Sequence, residues 1–252
     1  MKKIITYIVC LIMGVTVAQA QATTGYGTFL KEADTWYKVK SVEMSNEKVV
    51  YTLDDGTQKE VSLTHGESKD LQICPSAIYC EEWSLYDMDQ TARMELFAQV
   101  GINGALTMCG KLGSLDFDPK NLIYDCIKNI KTADLSHLDL SQVSSMNSLF
   151  YDCKNLEYIN FGGSITAMTN QMYNTMEGCK NLRTVDFSNC DLSNLTQTYN
   201  VFTGCDALET IIAKGCNEAT ISKLREVLTA AGKNPDSGDT GGVKLVTDYP
   251  TE

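Results

Sequence analysis

A cysteine recurs at a fixed interval in this chain, and that interval limits what the chain can fold into. Cys153, Cys179 and Cys205 stand 26 residues apart, and Cys126 lies 27 before the first. A fixed period of 20–50 residues marks a solenoid, in which each repeat covers its apolar side by stacking on its neighbours. Other positions keep the same beat. Leu156, Ile159 and Phe161 follow Cys153 at +3, +6 and +8, and Leu182, Val185 and Phe187 follow Cys179. Leu208, Ile211 and Ala213 follow Cys205, and Ile130, Ala133 and Leu135 follow Cys126 after one inserted residue. Phe150, Met176 and Phe202 precede their cysteines by three, and Cys190 and Cys216 fall at +11.

A further copy is expected from Cys109 through Leu112, Leu115 and Phe117, which makes about five coils. The run from Leu182 to Cys190 matches the leucine-rich-repeat template L-x-x-L-x-L-x-x-N/C. The fold class is therefore an α+β solenoid. Each unit holds a short strand, a turn and a return, stacked at about 4.8 Å. Cysteines in such columns pack as small apolar residues. A zinc site needs ligand pairs two to four residues apart, so no metal or cofactor is expected.

Solenoid ends expose core and need covers. Thr220–Ala231 sets Ile221, Leu224 and Leu228 on one helical face with Gly232 as terminator, and a strand over Val243–Thr247 follows. At the other end Asp89 caps an expected helix to about Val100. Before the repeats, Trp36–Val42, Lys48–Leu53 and Lys59–Leu63 alternate, the last two around the turn Asp54-Asp55-Gly56. They form a small β-meander of about three strands. The expected division is a signal peptide over residues 1–20, a β-rich region over 21–88 and the capped solenoid over 89–252.

Lys2 and Lys3, the apolar run Ile4–Val17 and the small residues of Ala18-Gln19-Ala20 form an export signal, too short for a membrane span. The mature chain carries 19 basic and 32 acidic residues, a net charge of −13. That charge repels phosphate backbones and anionic lipids, which excludes nucleic acid as the expected partner. No second long apolar stretch predicts membrane insertion. Disorder is expected at Gln21–Gly27 and near Asn234–Gly242. Cys74 and Cys80 either close a seven-residue loop as a disulfide or stay as two buried thiols.

His65 and His137 stand in no catalytic or metal motif, and no nucleophile-elbow, zincin or phosphate-loop pattern occurs, so the chain is not expected to be an enzyme. Polar residues recur between the inward strand residues: Asp116, Asp134, Asn160 and Asp186. Alternation turns them outward. They form either a ladder facing a basic partner or calcium, or a solvated face. Tyr158, Arg183 and Thr184 lie on or beside that face, and tyrosine and arginine are the residue types that anchor interfaces.

Segments such as Met146-Asn-Ser-Leu-Phe-Tyr-Asp-Cys153-Lys-Asn-Leu-Glu-Tyr-Ile-Asn-Phe161 resemble the BspA-like leucine-rich repeats of bacterial surface proteins. The units of that family read roughly M-x-x-M-F-x-x-C-x-x-L-x-x-L-D-L-S. Leu135-Ser-His-Leu-Asp-Leu140-Ser141 has the same character, and the likeness spans about residues 102–217. The resemblance implies an exported protein, secreted, periplasmic or surface-held, and some members of the family are adhesins. The expected function is recognition of a protein partner (host matrix or bacterial surface) or a glycan through the sheet face. The alternative is a structural or assembly component of a cell-envelope complex.

Overall fold

The structure is a computed structural model that describes residues 25–32, 35–44, 48–62, 71–84, 104–114, 129–141, 143–167, 169–235 and 242–248. The expected signal segment, the helix from Asp89 and His65 lie outside them. The chain divides into two compact units, one centred on Thr28–Ile73 and one running from Cys74 to the C-terminus.

The first unit is an antiparallel sheet of four strands in chain order: β1 (Gly25–Glu32), β2 (Thr35–Met44), β3 (Lys48–Leu53) and β4 (Gln58–Ser62). The β3–β4 turn forms where the sequence placed it. Gly56 takes φ +82°, its N–H donates to the Leu53 carbonyl at 2.9 Å, and the Asp55 carboxylate accepts the Thr57 N–H at 2.8 Å. Leu30, Tyr37, Val39, Val49, Tyr51 and Leu53 pack as its core. Strand β1 is an element the sequence reading lacked. It takes in Gly25–Gly27, expected to be disordered, because Phe29 and Leu30 supply two fully buried side chains to anchor it.

The second unit is a β-solenoid of about three turns with one helix. Its strands are β5 (Leu71–Ser84), β6 (Ala105–Ser114), β7 (Thr132–Asp139), β8 (Tyr158–Asn160), β9 (Thr184–Asp186), β10 (Thr210–Ile212), β11 (Asn234–Pro235) and β12 (Gly242–Val246). They are parallel and ordered β5-β6-β7-β8-β9-β10-β12-β11. From β7 to β9 the register advances by 26 residues per strand: Ala133 pairs with Ile159, and Ile159 with Val185. Val185 then pairs with Ile211, and Ile211 with Leu245. These five residues are all buried. Beside them Leu156, Leu182 and Leu208 form another column, and Phe161 stacks on Phe187 with ring centres 5.2 Å apart.

The return side of each coil follows a second rule. The N–H groups of Met146, Ser148, Phe150 and Asp152 donate to the carbonyls of Gln171, Tyr173, Thr175 and Glu177, one coil on, at 2.7–3.1 Å. The alternate residues Leu149, Tyr151 and Cys153 donate within their own turn. This alternation needs left-handed residues, and they recur at the coil period: Ser148, Asn174 and Asn200, then Asp152, Gly178 and Gly204. Serine, asparagine, aspartate and glycine fill them because short polar side chains and glycine tolerate that region best.

The cysteine columns are buried as expected, but the thiols also serve as donors. Cys179 Sγ donates to the Phe150 carbonyl at 3.0 Å, Cys205 Sγ to Met176 at 3.1 Å and Cys216 Sγ to Phe187 at 3.1 Å. Each thiol thus reaches back across a coil to a buried carbonyl that would otherwise have fewer partners.

One reading needs correction. Cys109 does not start a coil in the common phase. It lies inside β6, paired with His137 of β7, whereas Cys153, Cys179 and Cys205 each precede their strand by five residues. The template match that starts at Cys109 is therefore out of phase at its first position, and Leu115 and Phe117 lie outside the described residues. Cys74 and Cys80 both fall on β5.

The C-terminal end is covered as the sequence indicated. Helix α1 (Glu218–Ala230) starts at Asn217, whose side chain accepts the Thr220 N–H at 2.8 Å. Ile221, Leu224, Val227 and Leu228 bury one stripe against the last coil. Gly232, at φ +71°, ends the helix, and the Lys233 N–H returns to the Leu228 carbonyl at 3.0 Å.

Candidate recognition faces

Six of the residues singled out from the sequence sit together on or beside strands β7–β9. Thr132, Tyr158, Thr184 and Thr210 form one outward column, in register with Lys244 beyond. Asp134, Asn160 and Asp186 form the next, and both columns are partly exposed where the intervening Ala133, Ile159 and Val185 are buried. Arg183 stands just before β9, exposed and ion-paired with Glu209 of the following coil. Asp116 lies outside the described residues. The strand residue paired with Asp134 on β6 is Thr107, so the expected acidic ladder is not continued there. His137 lies within β7 and is half-buried.

The carboxylates on this face hold the backbone. Asp134 Oδ1 accepts the Ser136 N–H at 3.0 Å, the Ser136 hydroxyl at 2.7 Å and the Asn160 side-chain amide at 3.2 Å. Asp186 accepts the Ser188 N–H at 2.7 Å. The same Asp-x-Ser turn returns five residues later, where Asp139 takes Ser141 and Asp191 takes Ser193. These turns guide the chain out of each strand. Among the described residues no group of three or more His, Cys, Asp or Glu side chains is placed to hold a metal. Tyr158 is the chemically distinct group here. Partial burial, then the charges of Asp186 and Asp134, push its phenol above the ordinary value, so it stays a neutral hydrogen-bonding group.

Four of the described thiols, Cys179, Cys190, Cys205 and Cys216, are poorly suited to attack. Burial raises Cys190 to about 11 and pushes Cys205 and Cys216 upward. For Cys179 hydrogen bonding with Cys153 comes first and burial second, with the same direction. A thiol held protonated is a weak nucleophile.

The return side carries a second face that the sequence reading passed over. Tyr173 and Tyr199, one period apart, stack with ring centres 4.8 Å apart and planes within 7°. Tyr199 is 56 % exposed. Beside them Ser145, Gln171 and Gln197 are bridged coil to coil. The Asn147 side chain occupies the position one coil before Tyr173. It donates to Gln171 Oε1 at 2.9 Å and accepts the Tyr173 N–H at 3.1 Å. The signal was the 26-residue spacing of the two tyrosines, the same beat that revealed the core.

Residues 120–237, just under half of the chain, match the profile of a family described as "Mycoplasma protein of unknown function, DUF285". No curated protein and no solved structure matches the chain.

Proposed function

We propose that this chain is an exported, BspA-like leucine-rich-repeat recognition module that takes a protein or glycan partner on the outer face of strands β7–β10. The observation carrying this reading is the in-register outward column Thr132–Tyr158–Thr184–Thr210, with Arg183 beside it, on a backbone fixed by its own turns and core. A neutral tyrosine between hydroxyls on a rigid sheet loses little conformational freedom on contact, and such faces are the usual binding surfaces of solenoids. The apolar Ile4–Val17 run behind Lys2 and Lys3 supports export, to the periplasm, the surface or the medium. Buried, protonated thiols support reading the cysteines as packing and not as nucleophiles.

The test is a binding screen of the purified chain against arrays of matrix proteins, bacterial surface proteins and glycans. Tyr158→Ala combined with Arg183→Ala runs alongside. A saturable hit that weakens about tenfold or more in the double variant, with unchanged circular dichroism, supports the sheet face. Full affinity in the double variant contradicts it. A blank on every array moves the weight to an assembly role in a cell-envelope complex.

A further inference from the structure

We infer that the return side of the coils, centred on Tyr173 and Tyr199, is a separate binding face for an uncharged polysaccharide. The inference rests on the reading of the solenoid as a recognition module but assigns a different surface and a definite ligand class.

Three observations converge. The first is charge. The chain carries a net −11, yet residues 143–151, 169–176 and 195–203, around the two tyrosines in three successive coils, contain no Asp, Glu, Lys, Arg or His, and Asp152 and Glu177 stand at the edge of this patch. A patch with an uncharged centre and two carboxylates at its edge offers little to a nucleic acid, an anionic lipid or an acidic peptide, each of which gains contact energy mainly through ions.

The second is the aromatic stack. Tyr173 covers one face of Tyr199, which keeps more than half of its surface open. The stack fixes both rings before any ligand arrives, so little rotamer freedom remains to be lost. The electron-rich faces and edges of such rings attract the weakly positive C–H groups of a pyranose.

The third is the neighbouring amides. Gln171 and Gln197 follow one another at the coil period, and Asn147 is already oriented by its bonds to Gln171 and Tyr173. A carboxamide both donates and accepts, which suits sugar hydroxyls that do the same. The coil spacing repeats this pairing of ring and amide along the solenoid axis. A polymer of repeating rings can follow such a track, and its repeated contacts add through effective concentration.

Native gels cast with soluble neutral polysaccharides (a β-glucan, a mannan, a xylan and a starch) test this, with acidic polygalacturonate as the control. The expected result is retardation of the full chain by at least one neutral polymer and not by polygalacturonate. Tyr199→Ala weakens that retardation about tenfold or more, as for a central aromatic anchor. Tyr199→Phe keeps it, because the ring face remains. The Tyr158→Ala, Arg183→Ala double variant also keeps it. Tyr199 is exposed enough that its replacement leaves the core untouched, which circular dichroism checks. No retardation in any neutral gel overturns the proposal, as does equal retardation of Tyr199→Ala. Loss in the sheet-face double variant alone overturns it too, while leaving the recognition reading intact.

Discussion

Leu182→Ala is the substitution that most sharply tests the stacked core. Leu182 has no exposed surface, and its repeat partners Leu156 and Leu208 are 0 % and 5 % exposed. The change removes three carbon groups, worth about 2.4 kcal/mol at ~0.8 kcal/mol each. A cavity term adds to this, because the coils above and below are held by Val185 paired to Ile159 and to Ile211 and cannot close the gap freely. The expected loss is about 2–5 kcal/mol. Urea unfolding followed by far-ultraviolet circular dichroism measures it, with the slope compared so that a change in unfolding cooperativity is not mistaken for lost stability. Tyr199→Ala serves as a comparison on the same coils, losing about 0.5–1.5 kcal/mol for its stacked partner. A Leu182→Ala loss below about 1 kcal/mol, no larger than that of a typical point substitution, would refute the column packing.

The remaining expectations concern turns, charges and thiols. Gly215 sits at φ +69° with Asn189 Oδ1 in the space a Cβ would take, so Gly215→Ala costs about 1–3 kcal/mol, and Asn189→Gly restores part of it by thermal unfolding of the double variant. Hydrogen bonds from the Ser193 side chain and backbone hold the Asp191 carboxyl below its ordinary value. Its contribution is therefore present above the unfolded value near pH 3.9 and is lost as pH falls through the lower folded value. The stability gap between wild type and Asp191→Ala should shrink as pH drops from about 6 to about 2; a constant gap contradicts the assignment. Cys153, Cys179, Cys190, Cys205 and Cys216 are buried and unbridged, so peptide mapping after iodoacetamide at mildly alkaline pH should find them unlabelled in the native chain and fully labelled after denaturation. Native labelling at the denatured rate would contradict their burial.

The parts of this molecule legible in its sequence are those where stacking forces the same residue type to return. A core column accepts only side chains of matching size, so Leu156, Leu182 and Leu208 declare themselves, and with them the register. Helix α1 was legible because its apolar stripe and Gly232 each do local work, while the cap at Asn217, which sets its first residue, was not read. The left-handed positions were less so, since serine, asparagine, aspartate and glycine share them. What failed depended on partners that spacing cannot reveal. Asp134 and Asp186 looked outward and free, yet Ser136, Asn160 and Ser188 donate to them. Cys109 carried a chance match to the template, while β6 meets β7 through Leu106 and Ala133. The tyrosine stack was not legible because an aromatic repeated in only two coils, Tyr173 and Tyr199 with Asn147 in the coil before, does not tell a surface pair from a core column.

Deleting one whole period tests the register-locked solenoid most directly. Joining Glu157 to Thr184 removes residues 158–183 and sets Thr184 where Tyr158 paired with Thr132, Cys205 where Cys179 bonded Phe150, and Gln197 where Gln171 met Met146. The account predicts a shorter chain that still unfolds cooperatively, with lower stability from one lost coil interface and no remaining Tyr158–Arg183 surface for a sheet-face partner. Deleting 25 residues instead turns the inward strand positions outward and should abolish folding. Equal folding of the two deletions, or unfolding of both, would contradict the account.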